Sequence, residues 1–140
     1  WFKEIDFLAK ENSNLQFVLP IHPNPNVKKH QHLLKYVNVV PPMDYDKFVD
    51  ELASCRLIIT DSGGMQEESS FLRKKCIVCR KTTERIEGMG TFSTLVMKPA
   101  DLKNAFKWAN KSHIPDKNER CPYGDGKSAQ KILGILKNEI

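Results

Sequence analysis

The sequence predicts an α/β fold in which a parallel β-sheet carries helices on both faces. Short apolar runs rich in β-branched residues alternate along the chain with segments whose apolar residues recur at helical spacing. The chain has 140 residues, of which 40% are hydrophobic, and this is enough to bury one core. Nothing in the composition suggests two domains, so we expect one globular unit.

The first three elements alternate as this fold requires. Apolar residues at helical spacing predict a helix over 1–12, and a polar turn ends it. A buried strand over 15–21 then runs into a rigid loop that contains two prolines. A short helix over 27–36 follows, with Asn24 or Asn26 as its cap.

The central elements repeat the alternation. The second strand, 37–40, is closed by two prolines, and the next helix begins at Asp44. The apolar stripe of that helix is formed by Phe48, Val49, Leu52 and Ala53. The third strand is 56–60, and the helix after it runs to about Arg73, where basic residues favour a helix C-terminus.

The last elements complete five strands. The fourth strand, 76–79, is followed by a polar loop over 80–90, and 94–97 is the fifth strand. A helix over 101–111 has its apolar residues on one face, and an amphipathic helix over 128–138 ends the chain.

The stretch from Leu57 to Glu68 is the strongest local signal of function. It passes from a buried strand through a turn of small residues into a helix. Asp61 and Ser62 can cap that helix, while Gly63 and Gly64 let a ligand approach the backbone. The unpaired first amides and the helix dipole favour an anion such as a phosphate.

Three polar loops follow strands of the predicted sheet. They contain His22, Ser62 and the Glu84-Arg85 pair. Because ligands of such sheets bind beyond the carboxyl ends of the strands, we expect these loops to share one edge.

Composition excludes several other classes of protein. The net charge of +5 suits an anionic ligand, but Lys and Arg are scattered, so nucleic acid is not expected as a partner. The apolar runs are too short to span a membrane, and no signal peptide is visible, so a cytoplasmic location is expected. Because the sequence opens at Trp1 inside a predicted helix, we interpret the chain as a fragment of a longer protein.

The cysteines and histidines do not predict a metal or redox site. Cys76 and Cys79 have the spacing of a dithiol, but on a strand their side chains face opposite ways. His30 and His32 diverge on their helix, so no metal site is expected there.

Four ordered motifs resemble those of non-hydrolysing UDP-N-acetylglucosamine 2-epimerases. They are 22–27, 60–68, 80–85 and 122–126. The resemblance is to the C-terminal half of that family, whose two Rossmann-like domains form a GT-B fold. It implies that 1–140 is the C-terminal UDP-binding domain and that the N-terminal domain is absent. Ile86 stands where the family usually has proline.

The resemblance also implies roles for individual residues. Ser62, with the amides of Gly63 and Gly64, would hold the diphosphate of UDP, and Glu68 would bind the ribose hydroxyls. Arg85 would lie at the phosphate and sugar end of the ligand. Phe48 occupies the place of an aromatic residue that contacts uracil. His22 stands where the family lines the junction between the substrate and a second, activating UDP-GlcNAc.

The reaction that the resemblance implies is the interconversion of UDP-GlcNAc and UDP-ManNAc for polysaccharide biosynthesis. UDP is eliminated and then added back, without a cofactor, in a protein that is expected to be a homodimer. The carboxylates that handle the C2 proton belong to the N-terminal domain. We therefore predict no catalytic residue within this chain, which should bind UDP or a UDP-N-acetylhexosamine without catalysis.

Alternatives remain open at the level of sequence. Three interpretations compete with the non-hydrolysing epimerase: a hydrolysing 2-epimerase, a GT-B glycosyltransferase and a non-catalytic nucleotide-binding module. Phe48 is equally interpreted as a core residue, and His22 as a residue that bonds a backbone carbonyl of its own loop. Arg85 can pair with Glu84 or Glu87 alone, and Glu67 is expected to face solvent.

Overall fold

A computed structural model of the chain describes residues 1–112, 116 and 118–138. Its strands are β1 (Val18–Pro20), β2 (Asn38–Val40), β3 (Leu57–Thr60), β4 (Lys75–Cys79) and β5 (Ser93–Val96). Its helices are α1 (Phe2–Glu11), α2 (Pro25–Lys28), α3 (Tyr45–Ser54), α4 (Gly63–Phe71), α5 (Leu102–Lys111) and α6 (Ser128–Asn138). The predicted order of strands and helices is therefore confirmed.

All strand pairs are parallel, and the hydrogen-bonded ladders form two groups. β1 pairs with β2, while β3, β4 and β5 are neighbours in that order. The register places Leu57 opposite Lys75 and Thr60 opposite Val78, so β3 and β4 end at the same edge. The loops after these two strands contain Ser62 and Arg85, which places both at that edge.

Helices cover both faces of the three-stranded group, as predicted. Side chains of β4 alternate between two hydrophobic clusters, because successive residues of a strand face opposite ways. One cluster joins the sheet to α1 and α5; its buried members are Leu8, Ile77, Cys79, Val96, Leu102, Phe106 and Ala109. The other joins the sheet to α3 and α4; its buried members are Leu52, Ile58, Cys76 and Val78.

The predicted helix over 27–36 is wrong, because the segment divides into two short pieces. Asn24 caps α2 by accepting a hydrogen bond from the amide of Asn26, as expected, but α2 ends after four residues. A 3₁₀ turn, Gln31–Leu33, follows. The buried carboxylate of Asp6 in α1 accepts hydrogen bonds from the amides of Lys35 and Tyr36, both at 2.7 Å. This tertiary contact directs the chain away from a continuous helix.

The last helix, α6, has no buried side chain among its described residues. Its four large apolar side chains are each more than half exposed: Ile132, Leu133, Ile135 and Leu136. Within the described part of the chain, no helix combines the length and apolar character that crossing a bilayer requires.

Candidate functional site

The turn between β3 and α4 is fixed by Thr60 rather than by the residues that we expected to cap the helix. The Thr60 hydroxyl accepts a hydrogen bond from the Ser62 amide at 3.0 Å and donates to the Met65 sulfur at 3.1 Å. Ser62 is the N-cap residue, but its side chain makes no capping bond, so its predicted capping role is wrong. The amides of Gly63 and Gly64 precede the internal ladder of α4 and have no acceptor among the described residues.

The Arg85 guanidinium lies directly against this turn. A Cβ atom placed on Gly63 would be 3.0 Å from both Cζ and Nη1 of Arg85. A cation therefore lies beside the start of a helix whose unpaired amides already favour an anion. The expected meeting of the Ser62 and Arg85 loops is confirmed.

Arg85 pairs with Glu67 in addition to its neighbour Glu84. Its Nε donates to the Glu67 carboxylate at 2.8 Å, and its Nη1 contacts Glu84. Glu67 is partly exposed to solvent, with 46% of its side chain accessible, and it also faces the loop that contains Arg85. The ion pair with Glu67 uses the Nε donor of Arg85, and the other N–H donors of the guanidinium are on its two terminal nitrogens.

Gln66 lies behind the turn and is fully buried, with 0% of its surface exposed. Its side-chain oxygen accepts a hydrogen bond from the Thr83 hydroxyl at 3.0 Å, and its side-chain nitrogen lies 3.4 Å from the Ser62 carbonyl oxygen. Thr83 in turn accepts a hydrogen bond from the Arg85 amide at 3.2 Å. A short relay therefore connects the Ser62 turn to the Arg85 loop.

Tyr123 holds the other side of the Arg85 loop. Its hydroxyl donates to the Arg85 carbonyl oxygen at 3.1 Å and accepts from the Gly88 amide at 3.2 Å. Burial raises the pKa of the Tyr123 hydroxyl, so the group stays protonated and able to donate. A Cβ atom on Gly88 would lie 2.8 Å from this hydroxyl, so the contact requires glycine at that position.

Glu68 is close to a tyrosine that was not predicted as a site residue. The Tyr45 hydroxyl donates to the Glu68 carboxylate at 3.1 Å, and this hydrogen bond raises the pKa of Tyr45. Phe48, one turn further along α3, is partly buried and packs against the cluster that contains Leu52 and Ile58. The core interpretation of Phe48 is therefore confirmed, and its predicted contact with uracil stays a prediction.

His22 lies outside the relay that connects Ser62 with Arg85. Its Nδ1 accepts a hydrogen bond from the Asn24 amide at 3.1 Å, so the ring bonds an amide of its own loop rather than a carbonyl. The bond requires Nδ1 to be unprotonated, which leaves the proton of the neutral ring on the exposed Nε2. Its predicted role beside a sugar nucleotide stays a prediction.

The cysteines of β4 are structural. Cys76 and Cys79 belong to the two opposite hydrophobic clusters, as their spacing on a strand predicts. Burial raises the pKa of each thiol to about 12, so neither supplies a thiolate near neutral pH. No group of three or more potential metal-binding side chains comes together among the residues that the structure describes.

Known proteins match this chain over nearly its whole length. The sequence model of the family described as UDP-N-acetylglucosamine 2-epimerase matches residues 1–137. A UDP-N-acetylglucosamine 2-epimerase of Salmonella typhimurium is 36% identical over 147 aligned residues, which cover 94% of this chain and 37% of the relative. The chain therefore spans just over a third of the length of that relative.

Solved structures of similar sequence have the same fold. A co-structure of S. aureus MnaA with UDP superposes with a TM-score of 0.88 at 28% identity, and the match covers 99% of this chain and 39% of that one. A Methanocaldococcus jannaschii UDP-GlcNAc 2-epimerase in complex with UDP-GlcNAc and UDP has a TM-score of 0.79 at 29% identity. That match covers 97% of this chain and 39% of the other.

Proposed function

Since this chain belongs to the UDP-N-acetylglucosamine 2-epimerase family, we propose that it is the C-terminal, UDP-binding domain of an enzyme that interconverts UDP-GlcNAc and UDP-ManNAc. The observation that carries the proposal is the position of the Arg85 guanidinium against Gly63, at the start of α4. The complexes of similar proteins with UDP and UDP-GlcNAc support it.

The diphosphate of UDP would bind between the turn and Arg85. The Gly63 and Gly64 amides and the Ser62 hydroxyl supply uncharged donors, while Arg85 supplies a delocalised cation with paired donors. When UDP leaves the sugar, negative charge develops on its β-phosphate oxygen. Donors that are already oriented stabilise that charge without reorganisation, which lowers the barrier to elimination.

The nucleoside would bind towards α3. Glu68, which accepts a hydrogen bond from Tyr45 on one carboxylate oxygen, has further acceptor capacity for the two ribose hydroxyls. Phe48 would present the edge of its partly buried ring to uracil, and His22 would donate from Nε2 towards the sugar end of the site.

The chemical steps at C2 require groups outside this chain. Elimination removes a proton from C2 as UDP departs from C1, and UDP then adds back after the proton has returned to the opposite face. The two carboxylates beside Arg85, those of Glu67 and Glu84, both pair with its guanidinium. We therefore expect the 140 residues to bind UDP without converting the sugar nucleotide, and we propose that the rest of the protein supplies the proton-transfer groups.

Calorimetric titration of the chain with UDP tests the proposal. We expect measurable binding, and we expect Ser62→Ala, Glu68→Ala and Arg85→Met to weaken it. The loss of a charged partner should cost roughly 10-fold or more, because the opposing polar groups of the ligand are left unpaired. Arg56→Met and Glu11→Ala are matched controls, since Arg56 bonds the Asn110 carbonyl and Glu11 pairs with Lys103, both away from Ser62.

Two outcomes would contradict the proposal. If the folded chain does not bind UDP, the proposed binding function is wrong. Equal losses in the control variants and in Arg85→Met would show that a general charge effect, rather than the described site, holds the ligand. For the longer protein, product analysis separates epimerisation from hydrolysis, since a hydrolysing enzyme releases free N-acetylmannosamine and UDP.

A further inference from the structure

We infer that Gln66 and Thr83 are positioning residues that hold Arg85 against the phosphate-binding turn. The inference rests on the proposed UDP site and goes beyond it, because neither side chain is assigned a contact with the ligand. The observation that carries it is the partly buried hydrogen-bond relay from the Ser62 carbonyl through the buried Gln66 and through Thr83 to the Arg85 amide.

The direction of every bond in the relay follows from the chemistry of its ends. The Arg85 amide can only donate, so Thr83 accepts there and gives its single hydroxyl proton to Gln66. The Ser62 carbonyl can only accept, so the nitrogen of the Gln66 amide group must face it. Both ends therefore impose the same orientation on Gln66, and glutamine satisfies both with its side-chain oxygen as acceptor and one N–H of its side-chain nitrogen as donor.

The relay acts on a main chain that is held at two points. The Arg85 amide is bound by Thr83, and the Arg85 carbonyl is bound by Tyr123. The guanidinium is held separately, by Glu67. A long arginine side chain has many rotamers, and fixing its main chain and its Nε beforehand reduces the entropy that must be lost when it binds a phosphate.

Gln66 also accepts hydrogen bonds that are not part of the relay. Gln66 is buried on the second turn of α4, and its own main-chain carbonyl accepts hydrogen bonds from Ser69 at 3.0 Å and Ser70 at 2.8 Å. These bonds stabilise the helix but do not reach Thr83 or Arg85. Ser69 therefore provides a control for loss of a buried hydrogen bond at the same place in α4.

The test is a double-mutant cycle of UDP affinity in the 140-residue chain. We expect Thr83→Val to weaken UDP binding by about 3- to 10-fold, the range of one lost hydrogen bond, and Thr83→Ser to restore it. If Thr83 acts through Arg85, Thr83→Val should change the affinity by less than about 2-fold when Arg85→Met is already present. Ser69→Ala should lower the melting temperature without changing UDP affinity.

The hydrogen-exchange rate of the Arg85 amide, measured by NMR, tests the hydrogen-bond relay in the absence of UDP. Its amide should exchange faster in Thr83→Val and in Gln66→Met than in the wild type or in Ser69→Ala. Unchanged exchange, or the same loss of UDP affinity with and without Arg85, overturns the positioning role even if UDP binds well. A folded wild-type chain that fails to bind UDP instead overturns the proposed function, and the positioning role falls with it.

Discussion

The two glycines of the turn between β3 and α4 have different surroundings. A Cβ on Gly63 would lie 3.0 Å from the Arg85 guanidinium, whereas a Cβ on Gly64 would have the Ser62 hydroxyl oxygen, at 4.0 Å, as its nearest neighbour. Both residues are in the first turn of α4. Gly63 therefore leaves room for a side chain of the protein itself, and Gly64 leaves space on the open side of the turn.

This difference can be measured as stability. Alanine in place of glycine stabilises a helix by about 1 kcal/mol, so Gly64→Ala should increase the free energy of unfolding by up to that amount. Gly63→Ala should increase the free energy of unfolding by less, or decrease it, because the added methyl group forces the Arg85 guanidinium to move. Urea unfolding of the two variants measures the contrast, and equal changes would contradict the close approach of Arg85.

Ser62 and Arg85 were predictable because each lies in a loop that follows a parallel strand. The partners of Arg85 were harder to predict, since they depend on the rotation of α4 and on the path of residues 80–88. Glu67 and Glu68 are adjacent in sequence, yet one contacts Arg85 and the other contacts Tyr45. Tyr45 is three residues before Phe48 on α3, and residues at this spacing share one face of a helix. The predicted role of Phe48 could therefore have pointed to Tyr45 as a further site residue.

At the scale of the element, β4 is the most deeply buried strand described. All five of its residues are buried, and its side chains contribute to both hydrophobic clusters. Its thiols are protonated in the folded protein, and burial raises their pKa from 9.0 to about 12. Folding therefore becomes less favourable when the pH is high enough to ionise these thiols in the unfolded chain.

The resulting pH dependence has a defined sign. The stabilising contribution of each thiol should be complete below about pH 9 and should be lost as the pH rises from 9 towards 12. The expected slope is up to about 1.4 kcal/mol per pH unit for each thiol. Urea unfolding between pH 7 and 10.5 should show a smaller slope for Cys76→Ala than for wild type. Parallel curves would contradict the raised pKa of Cys76.

The elements themselves were largely predictable, because buried strands and amphipathic helices have different hydrophobic periods. The error at 27–36 has a tertiary cause. Asp6, which lies about 30 residues away in sequence, bonds the amides of Lys35 and Tyr36. No local pattern reports such a contact, and the helix therefore ends earlier than its own residues suggest.

For the whole molecule, the main consequence is that one helix contributes almost nothing to the described core. The apolar side chains of α6 are more than half exposed, and its Lys131 forms an exposed ion pair with Asp125. Such a pair contributes little to stability. The chain spans 37% of the length of the Salmonella relative.

Removal of residues 127–140 should therefore leave the remaining chain folded. We expect the free energy of unfolding to change by less than about 1 kcal/mol, because no described side chain of α6 is buried. UDP binding should persist, and binding of an apolar dye should fall as the exposed Leu and Ile side chains are removed. A loss of more than about 2 kcal/mol in urea unfolding would show that α6 stabilises the domain.

The pairing of β3 with β4 also leads us to expect that the Ser62 turn and the Arg85 loop form together as the chain folds. The Ser62 turn and the Arg85 loop are only 23 residues apart, and the strands that carry them pair directly. Closing so short a loop costs less chain entropy than bringing distant segments together. We therefore expect the Ser62 turn and the Arg85 loop to assemble within one folding unit, so that substitutions that weaken the pairing of β3 with β4 should slow folding.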